Sequence, residues 1–425
     1  MKGRQVQLSH PKDRPQLVPR LIPGIVGLLV GWGIVLPAPA FSQASSPGST
    51  PAAEQTALGV ADAGWSLLAE LPFSPQGAAA WRDTLFIGQR AAHDDSLASL
   101  WSLPLHGDDA SGGAVPIPPP GGLSLTEVRP LGVYDGALLV SVSVPLGPAK
   151  RQLKLFAYDG RWRPFPGALP CDYSCLAGLS VRDGTLYALG AFRTGSPDTV
   201  ENLLAWDGEQ WLPLGLHLWE GQGCQPLGFA KHGDRLLAWT NREERGLDDQ
   251  WLYRSTDRFA LRESDGAAWK DLSRGQGALL SQVLVLEGTV YGAFSRCRKG
   301  SGLTAVMELT PEGWCSLGED FGPGTKVASL GGSSHIWGPG ISGLTAHEGR
   351  LVVSGDFKHI GGVAAAGLAV WNDGAWHSLG EPSESREHAS LLSAGGALWR
   401  LQNRWRTDMK PSSRGEILRW EGPLP

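Results

Sequence analysis

One unit recurs along this chain about every 50 residues, built from short β-type runs separated by tight-turn signals. That repeat bounds the fold more tightly than the length of 425 residues, which by simple division would give two or three separate bodies. The clearest copy runs from Gly343 to Gly380. Leu344-Thr345-Ala346-His347 and Leu351-Val352-Val353-Ser354 flank Glu348-Gly349, and Leu368-Ala369-Val370-Trp371 and Trp376-His377-Ser378-Leu379 flank Asn372-Asp373-Gly374. Gly, Asn and Asp tolerate the positive φ that a two-residue hairpin needs, so each copy reads as four strands with two hairpins and a middle loop.

The landmarks repeat through the chain. First-turn signals stand at Asp83, Asp135-Gly136, Asp183-Gly184, Gly233-Asp234, Glu287-Gly288, Glu348-Gly349 and Gly395-Gly396. Second-turn signals followed by Trp stand at Asp159-Gly160 to Trp162, Asp207-Gly208 to Trp211, Asp265-Gly266 to Trp269, Glu312-Gly313 to Trp314 and Asp373-Gly374 to Trp376. Gly 58, Pro 31 and Trp 18 supply the reversals and large rings of an all-β protein and argue against a helical one. Seven copies of four antiparallel strands predict a single seven-bladed β-propeller over residues 57–425. The last copy stops after a third strand, Ile417 to Gly422, and Gly64 to Leu71 is an orphan fourth strand. Joining them closes the ring and removes its exposed edges. The first blade is the weakest copy, because Val115-Pro116-Ile117-Pro118 replaces the strand that opens with Trp.

The unit has a Gly near the end of strand two (Gly355-Asp356-Phe357), an aromatic-Asp-Gly on strand three (Trp206-Asp207-Gly208) and a Trp opening strand four. In this it resembles kelch-like repeats and the galactose-oxidase-type propeller, in the form found in secreted bacterial repeat proteins. The resemblance runs from residue 64 to residue 422 and implies a fold rather than an activity, since propellers host unrelated functions. The copper-radical site of galactose oxidase needs two Tyr, two His and a nearby Cys. That set does not map onto this chain residue by residue.

The N-terminus reads as an address. Five cations through Arg20 precede an apolar run from Leu21 to Leu36 and small residues ending at Ala44, the layout of a secretory signal peptide over residues 1–44. Pro23, Gly24, Gly27, Gly31 and Gly33 interrupt the run, which is short for a membrane span of about 20 residues, so cleavage is expected in preference to an uncleaved anchor. Residues 45–56, rich in Ser, Ala, Pro and Thr, read as a flexible leader into the fold. Either reading delivers the body to the periplasm or the exterior, and cleavage leaves no membrane span in the mature chain. Cys171, Cys175, Cys224, Cys297 and Cys315 are odd in number. A local bridge between Cys171 and Cys175 competes with pairing of either to Cys224, so the connectivity stays open.

Net charge is -5 overall and -9 once residues 1–44, with five cations and Asp13, are set aside. A negative body excludes a general nucleic-acid binder. No His-x-His or His-Glu-x-x-His spacing and no calcium-loop pattern occurs, so no metal, cofactor or catalytic residue is assigned. His93 beside Asp94 and Asp95 reads as a solvated loop. Trp65, Trp162, Trp211, Trp269, Trp314 and Trp376 recur at one position and are expected to pack the seams between blades. Trp219, Trp251, Trp337 and Trp405 fall outside it and are candidates for contact surface.

In such blades the one-to-two and three-to-four turns share one face, here expected to hold only tight turns. The opposite face takes the insertions Gly215 to Pro226, Asn241 to Phe259, Gly318 to Gly340 and Asn403 to Glu416, read as loops. Blades five to seven place Arg296, Arg298, Lys299, Lys326, Lys358, His359, Arg404, Arg406 and Lys410 there, a basic sector on a negative body. The candidate ligand-binding residues are therefore Arg296, Arg298, Lys299, Trp337, Lys358, His359, Arg404, Trp405 and Arg406. The expected function is binding of a protein or glycan partner, anionic by charge matching. The alternative is an exported glycan-active oxidase, hydrolase or lyase with its site at the channel mouth. Oligomeric state is left open.

Overall fold

The computed structural model describes residues 64–91, 97–106, 113–147, 150–169, 176–193, 200–217, 226–247, 253–276, 279–295, 305–318, 340–365, 367–380, 389–405 and 411–425. The expected signal peptide and leader, His93 to Asp95, Cys171, Cys175, Cys224, Cys297, Trp219, Trp251, Lys326 and Lys410 lie outside them.

The described residues form seven four-stranded antiparallel sheets. After β1 (Trp65–Leu71), blade one holds β2 (Pro75–Trp81), β3 (Thr84–Gln89), β4 (Leu100–Pro104) and β5 (Val115–Ile117). Blade two holds β6 (Glu127–Tyr134), β7 (Ala137–Gly147), β8 (Lys150–Tyr158) and β9 (Trp162–Pro164). Blade three holds β10 (Leu176–Arg182), β11 (Thr185–Arg193), β12 (Val200–Trp206) and β13 (Trp211–Pro213). Blade four holds β14 (Pro226–His232), β15 (Arg235–Leu247), β16 (Tyr253–Ser264) and β17 (Trp269–Gln276). Blade five holds β18 (Leu279–Leu286), β19 (Thr289–Ser295), β20 (Ala305–Thr310) and β21 (Gly313–Ser316). In blade six β22 (Gly340–His347) and β23 (Arg350–Asp356) are followed by a small hairpin, β24 (His359–Ile360) and β25 (Val363–Ala364). The blade then finishes with β26 (Leu368–Asn372) and β27 (Ala375–Ser378). Blade seven holds β28 (Ala389–Ala394), β29 (Ala397–Trp405) and β30 (Pro411–Trp420), and β1 is its fourth strand, with Trp65 across from Trp420 and Leu71 across from Gly415. The first strand of each blade packs on the first strand of the next, all the way round from β2 to β28 and back to β2. This is the seven-bladed all-β propeller that the repeat predicts.

The turn signals act as their chemistry requires. Asp135-Gly136, Asp183-Gly184, Glu287-Gly288 and Glu348-Gly349 all take positive φ between the first two strands of their blades. In the second turns, Asp207 accepts hydrogen bonds from the backbone of Glu209 and Gln210, and Asp265 from Ala267 and Ala268, which holds both carboxyls below the usual range.

The recurring Trp stitches the ring. Each indole N–H reaches back to the preceding blade: Trp162 to the Pro118 carbonyl at 2.7 Å, Trp211 to Ala168 at 2.8 Å and Trp269 to Leu214 at 2.7 Å. Trp314 donates to Ser273 Oγ at 2.8 Å, Trp376 to the Leu317 carbonyl at 2.5 Å and Trp65 to Leu379 at 2.6 Å. Strand three supplies a facing ring in four blades, pairing Tyr158 with Trp162, Trp206 with Trp211, Trp371 with Trp376 and Trp420 with Trp65 at centroid distances of 5.0, 5.4, 5.1 and 5.4 Å. The seam from blade seven to blade one has no such donor, because Val115 stands in the Trp position; it is filled instead by Phe73, Leu85, Ile87, Trp399, Leu401 and Ile417.

The seam tryptophans pack as expected but unevenly: Trp65 and Trp376 are buried, whereas Trp162, Trp211, Trp269 and Trp314 are half-buried, because the fourth strand is the outer edge of its blade and leaves one side of the ring wet. Three expectations need correction. Asn241 to Phe259 is no simple loop: β15 and β16 stay paired from Asn241–Phe259 to Leu247–Tyr253, well past the ends of β14 and β17. Asn403 to Glu416 is likewise largely strand, with Asn403 across from Gly415 and Trp405 across from Pro411. The tight-turn face also has an exception in blade one, where residues 105–114 separate β4 from β5.

Candidate functional site

The blade-six hairpin gives the long-loop face its best-defined feature. Phe357, Ile360 and Ala365 are buried and pack with Leu317 and Trp376 across the seam to blade five. The amide of Ala365 donates to the Lys358 carbonyl at 2.8 Å and closes the base of the hairpin. Gly361 and Gly362 turn it with φ of 56° and 78°, and a Cβ on Gly361 would lie 2.6 Å from Cδ1 of Trp376. Only glycine lets the backbone settle that closely on the indole. Lys358 and His359 are exposed on this platform, side by side.

Blade seven follows blade six in the ring, and its second strand ends with Arg404 at an irregularity in the pairing of β29 with β30 and Trp405 across from Pro411. Both residues are thereby placed on the same face as the hairpin; their side chains lie outside the described residues, as do Arg296, Arg298, Lys299, Trp337 and Arg406. The structure thus brings four of the nine sequence-derived candidates to two neighbouring blades.

A different polar site on the long-loop face escaped the sequence reading. Glu201, at the start of β12, is 6% exposed, and its Oε1 lies 3.4 Å from Nε2 of His217, just beyond β13. Burial pushes the Glu201 carboxyl up, against the opposing influence of His217 and the Gly215 amide. The signal available in the sequence was a charge inside Val200-Glu201-Asn202-Leu203-Leu204, where the blade-six copy is apolar. The tight-turn face carries a contrasting carboxylate. Glu263 is also buried, but Lys270, His232 and Arg235 donate to it, which outweighs the upward push of burial and leaves it held down.

Among the described residues no group of three or more His, Cys, Asp and Glu side chains is arranged to hold a metal ion, and no helix is long and apolar enough to cross a membrane. Cys315 is exposed and unbridged.

No protein-family model matches the sequence, and neither does any curated protein compared with it. Solved structures do. The β-propeller domain of the Trilobed protease from Pyrococcus furiosus matches with a TM-score of 0.47 and 9% identity over 83% of this chain and 95% of that one. A puromycin-hydrolyzing peptidase from Mycobacterium tuberculosis matches with a TM-score of 0.47 and 16% identity over 84% of this chain, which spans 54% of the peptidase. A polysaccharide lyase matches with a TM-score of 0.43 and 11% identity over 81% and 89%. The likeness is one of fold. At these identities the activities of the three proteins stay with them, and what the propeller does has to be argued from its own surface.

Proposed function

We propose that this chain is an exported binding propeller that takes an anionic partner, a polyuronate-like glycan or an acidic protein segment, on the long-loop face of blades five to seven. The observation that carries the reading is the rigid hairpin of blade six. It fixes Lys358 and His359 outward on buried Phe357 and Ile360, next to the blade that bears Arg404. A cationic rim on a body of net negative charge attracts carboxylate or sulfate groups, and Arg grips them bidentately. Export rests on the basic, apolar and small-residue order of residues 1–44.

The test is binding of the purified protein to polygalacturonate and to neutral galactan over a range of salt. The reading expects preference for the acidic polymer and weakening as salt rises, since exposed charges are screened beyond about 8 Å at physiological ionic strength. Equal affinity for both polymers counts against it, and depolymerisation of either would replace binding with catalysis.

A further inference from the structure

We infer that Glu201 and His217 form a proton-operated latch on the long-loop face of blade three, closed while at least one proton lies between the two side chains and open when none does. The inference is independent of the binding role proposed for blades five to seven.

The geometry fixes the proton arithmetic. Nδ1 of His217 lies 3.0 Å from the carbonyl oxygen of Val200. A carbonyl only accepts, so Nδ1 must carry hydrogen, and in the neutral ring the lone pair falls on Nε2. Nε2 is the atom that faces Oε1 of Glu201 at 3.4 Å. With one shared proton, either an imidazolium meets a carboxylate or a carboxylic acid donates to Nε2. With two, the imidazolium still donates to the carbonyl oxygen of the acid. With none, a lone pair confronts a carboxylate that is 6% exposed and whose Oε2 has no hydrogen-bond partner among the described residues. An ionised carboxylate so buried is costly unless a donor compensates it.

The surroundings do little to relieve that state. On Glu201's own blade the Gly215 amide donates to the carboxylate, and Arg193 across from Val200 is exposed. From blade four, Arg262 is committed elsewhere. Its NH1 donates to the backbone carbonyl of His217, and its Nε bonds Asp271 at 3.0 Å; Asp271 in turn holds Arg274 at 2.6 Å. Arg262 is thus spent on the His217 backbone carbonyl and on Asp271, and supplies no charge to Glu201. The burial that favours a protonated Glu201 acts in the same direction as the latch. Glu201 holds a proton more tightly in the folded protein than in the unfolded chain, so the stabilisation is present at low pH and lost as pH rises past the release of the shared proton. Both ring nitrogens are engaged, which makes the pair a poor general base and a good lock.

The place matters as much as the chemistry. Glu201 is the second residue of β12, the strand that follows the second-to-third connection of blade three, and His217 lies near the start of the segment that leads from β13 to blade four. The latch therefore ties together the roots of two connections of the long-loop face.

Amide hydrogen exchange over residues 200–203 and 214–217 of the whole protein, corrected for intrinsic rates, tests this from about pH 5.5 to about pH 9. The latch predicts protection that is level at low pH and then falls toward one decade per pH unit, the signature of a single proton. Glu201→Gln places an NH2 opposite Nε2 of the neutral ring, a donor at every pH, and should level the profile. A flat wild-type profile, or the same slope in E201Q, overturns the inference. Should E201Q fail to fold, NMR of the wild type decides: the His217 ring nitrogens and the Glu201 carboxyl carbon must report a common step, and independent titrations overturn it.

Discussion

Trp65 stands directly across the sheet from Trp420, the two rings edge to face with centroids 5.4 Å apart. The pair joins residues 355 positions apart and makes blade seven from both ends of the described chain. Trp65 is 1% exposed, and its indole N–H continues to the Leu379 carbonyl of blade six. One side chain therefore closes a blade and pins it to its neighbour.

Trp65→Ala is expected to cost about 3–5 kcal/mol, the range for truncating a buried Trp, read as a shift in the urea midpoint. Deleting residues 64–71 should go further, leaving β30 as an open edge and the protein prone to associate on size-exclusion chromatography. An unchanged midpoint and a monomeric deletion variant would contradict closure by β1.

The seam tryptophans should not be equivalent. Trp376→Ala removes a buried ring and a 2.5 Å hydrogen bond and should behave as a core lesion. Trp211→Ala removes a half-buried ring with a similar bond to Ala168 and should cost measurably less. Guanidinium denaturation of the two variants checks this; equal losses would mean that the hydrogen bond, rather than burial, dominates.

Much of the fold was legible because its signals are local. Asp-Gly at a fixed offset from a β-run demands a hairpin, and a Trp that returns in blade after blade demands a shared seam. What sequence could not show was how far strands run beyond the blade. Arg242 to Leu247 and Tyr253 to Asp257 are rich in charge and read as loop, yet they continue the backbone ladder because a two-stranded ribbon needs no apolar face. The platform of the candidate site was half legible. Lys358 and His359 were placed on the long-loop face from sequence, but the burial of Ile360 against Trp376 depends on packing between blades five and six. Glu201 and His217 are sixteen residues apart, and only the return of β13 along β12 brings them together.

Gly361→Ala should tilt the hairpin. It imposes a left-handed φ of 56° on a residue with a side chain and drives a methyl against Trp376. A cost of about 1–3 kcal/mol is expected from overpacking, together with weaker polygalacturonate binding because Lys358 and His359 shift with the turn. Thermal denaturation and binding should move together; lost stability with intact binding would detach the hairpin from the site.

His347 gives the seam between blades six and seven its own pH dependence. It is 5% exposed, its Nδ1 lies 2.9 Å from Ser393 Oγ, and burial lowers its pKa despite Glu348, while Arg350 lowers it further. The folded state favours the neutral ring, so its contribution is complete above the unfolded value of about 6.5 and is lost as pH falls from there toward the lowered folded value. Stability curves of the wild type and His347→Gln, subtracted to cancel the carboxylates, should diverge on acidification with the variant losing less. Parallel curves would rule His347 out.

The most direct test of the account is the affinity of the charge-reversed variant Lys358→Glu/Arg404→Glu for polygalacturonate, measured beside the wild type at low and physiological salt. The account predicts at least a tenfold loss, about 1.4 kcal/mol or more, with a shallower salt dependence and an unchanged denaturation midpoint. Wild-type affinity in the double variant would contradict it and leave this face of blades six and seven an ordinary solvated surface.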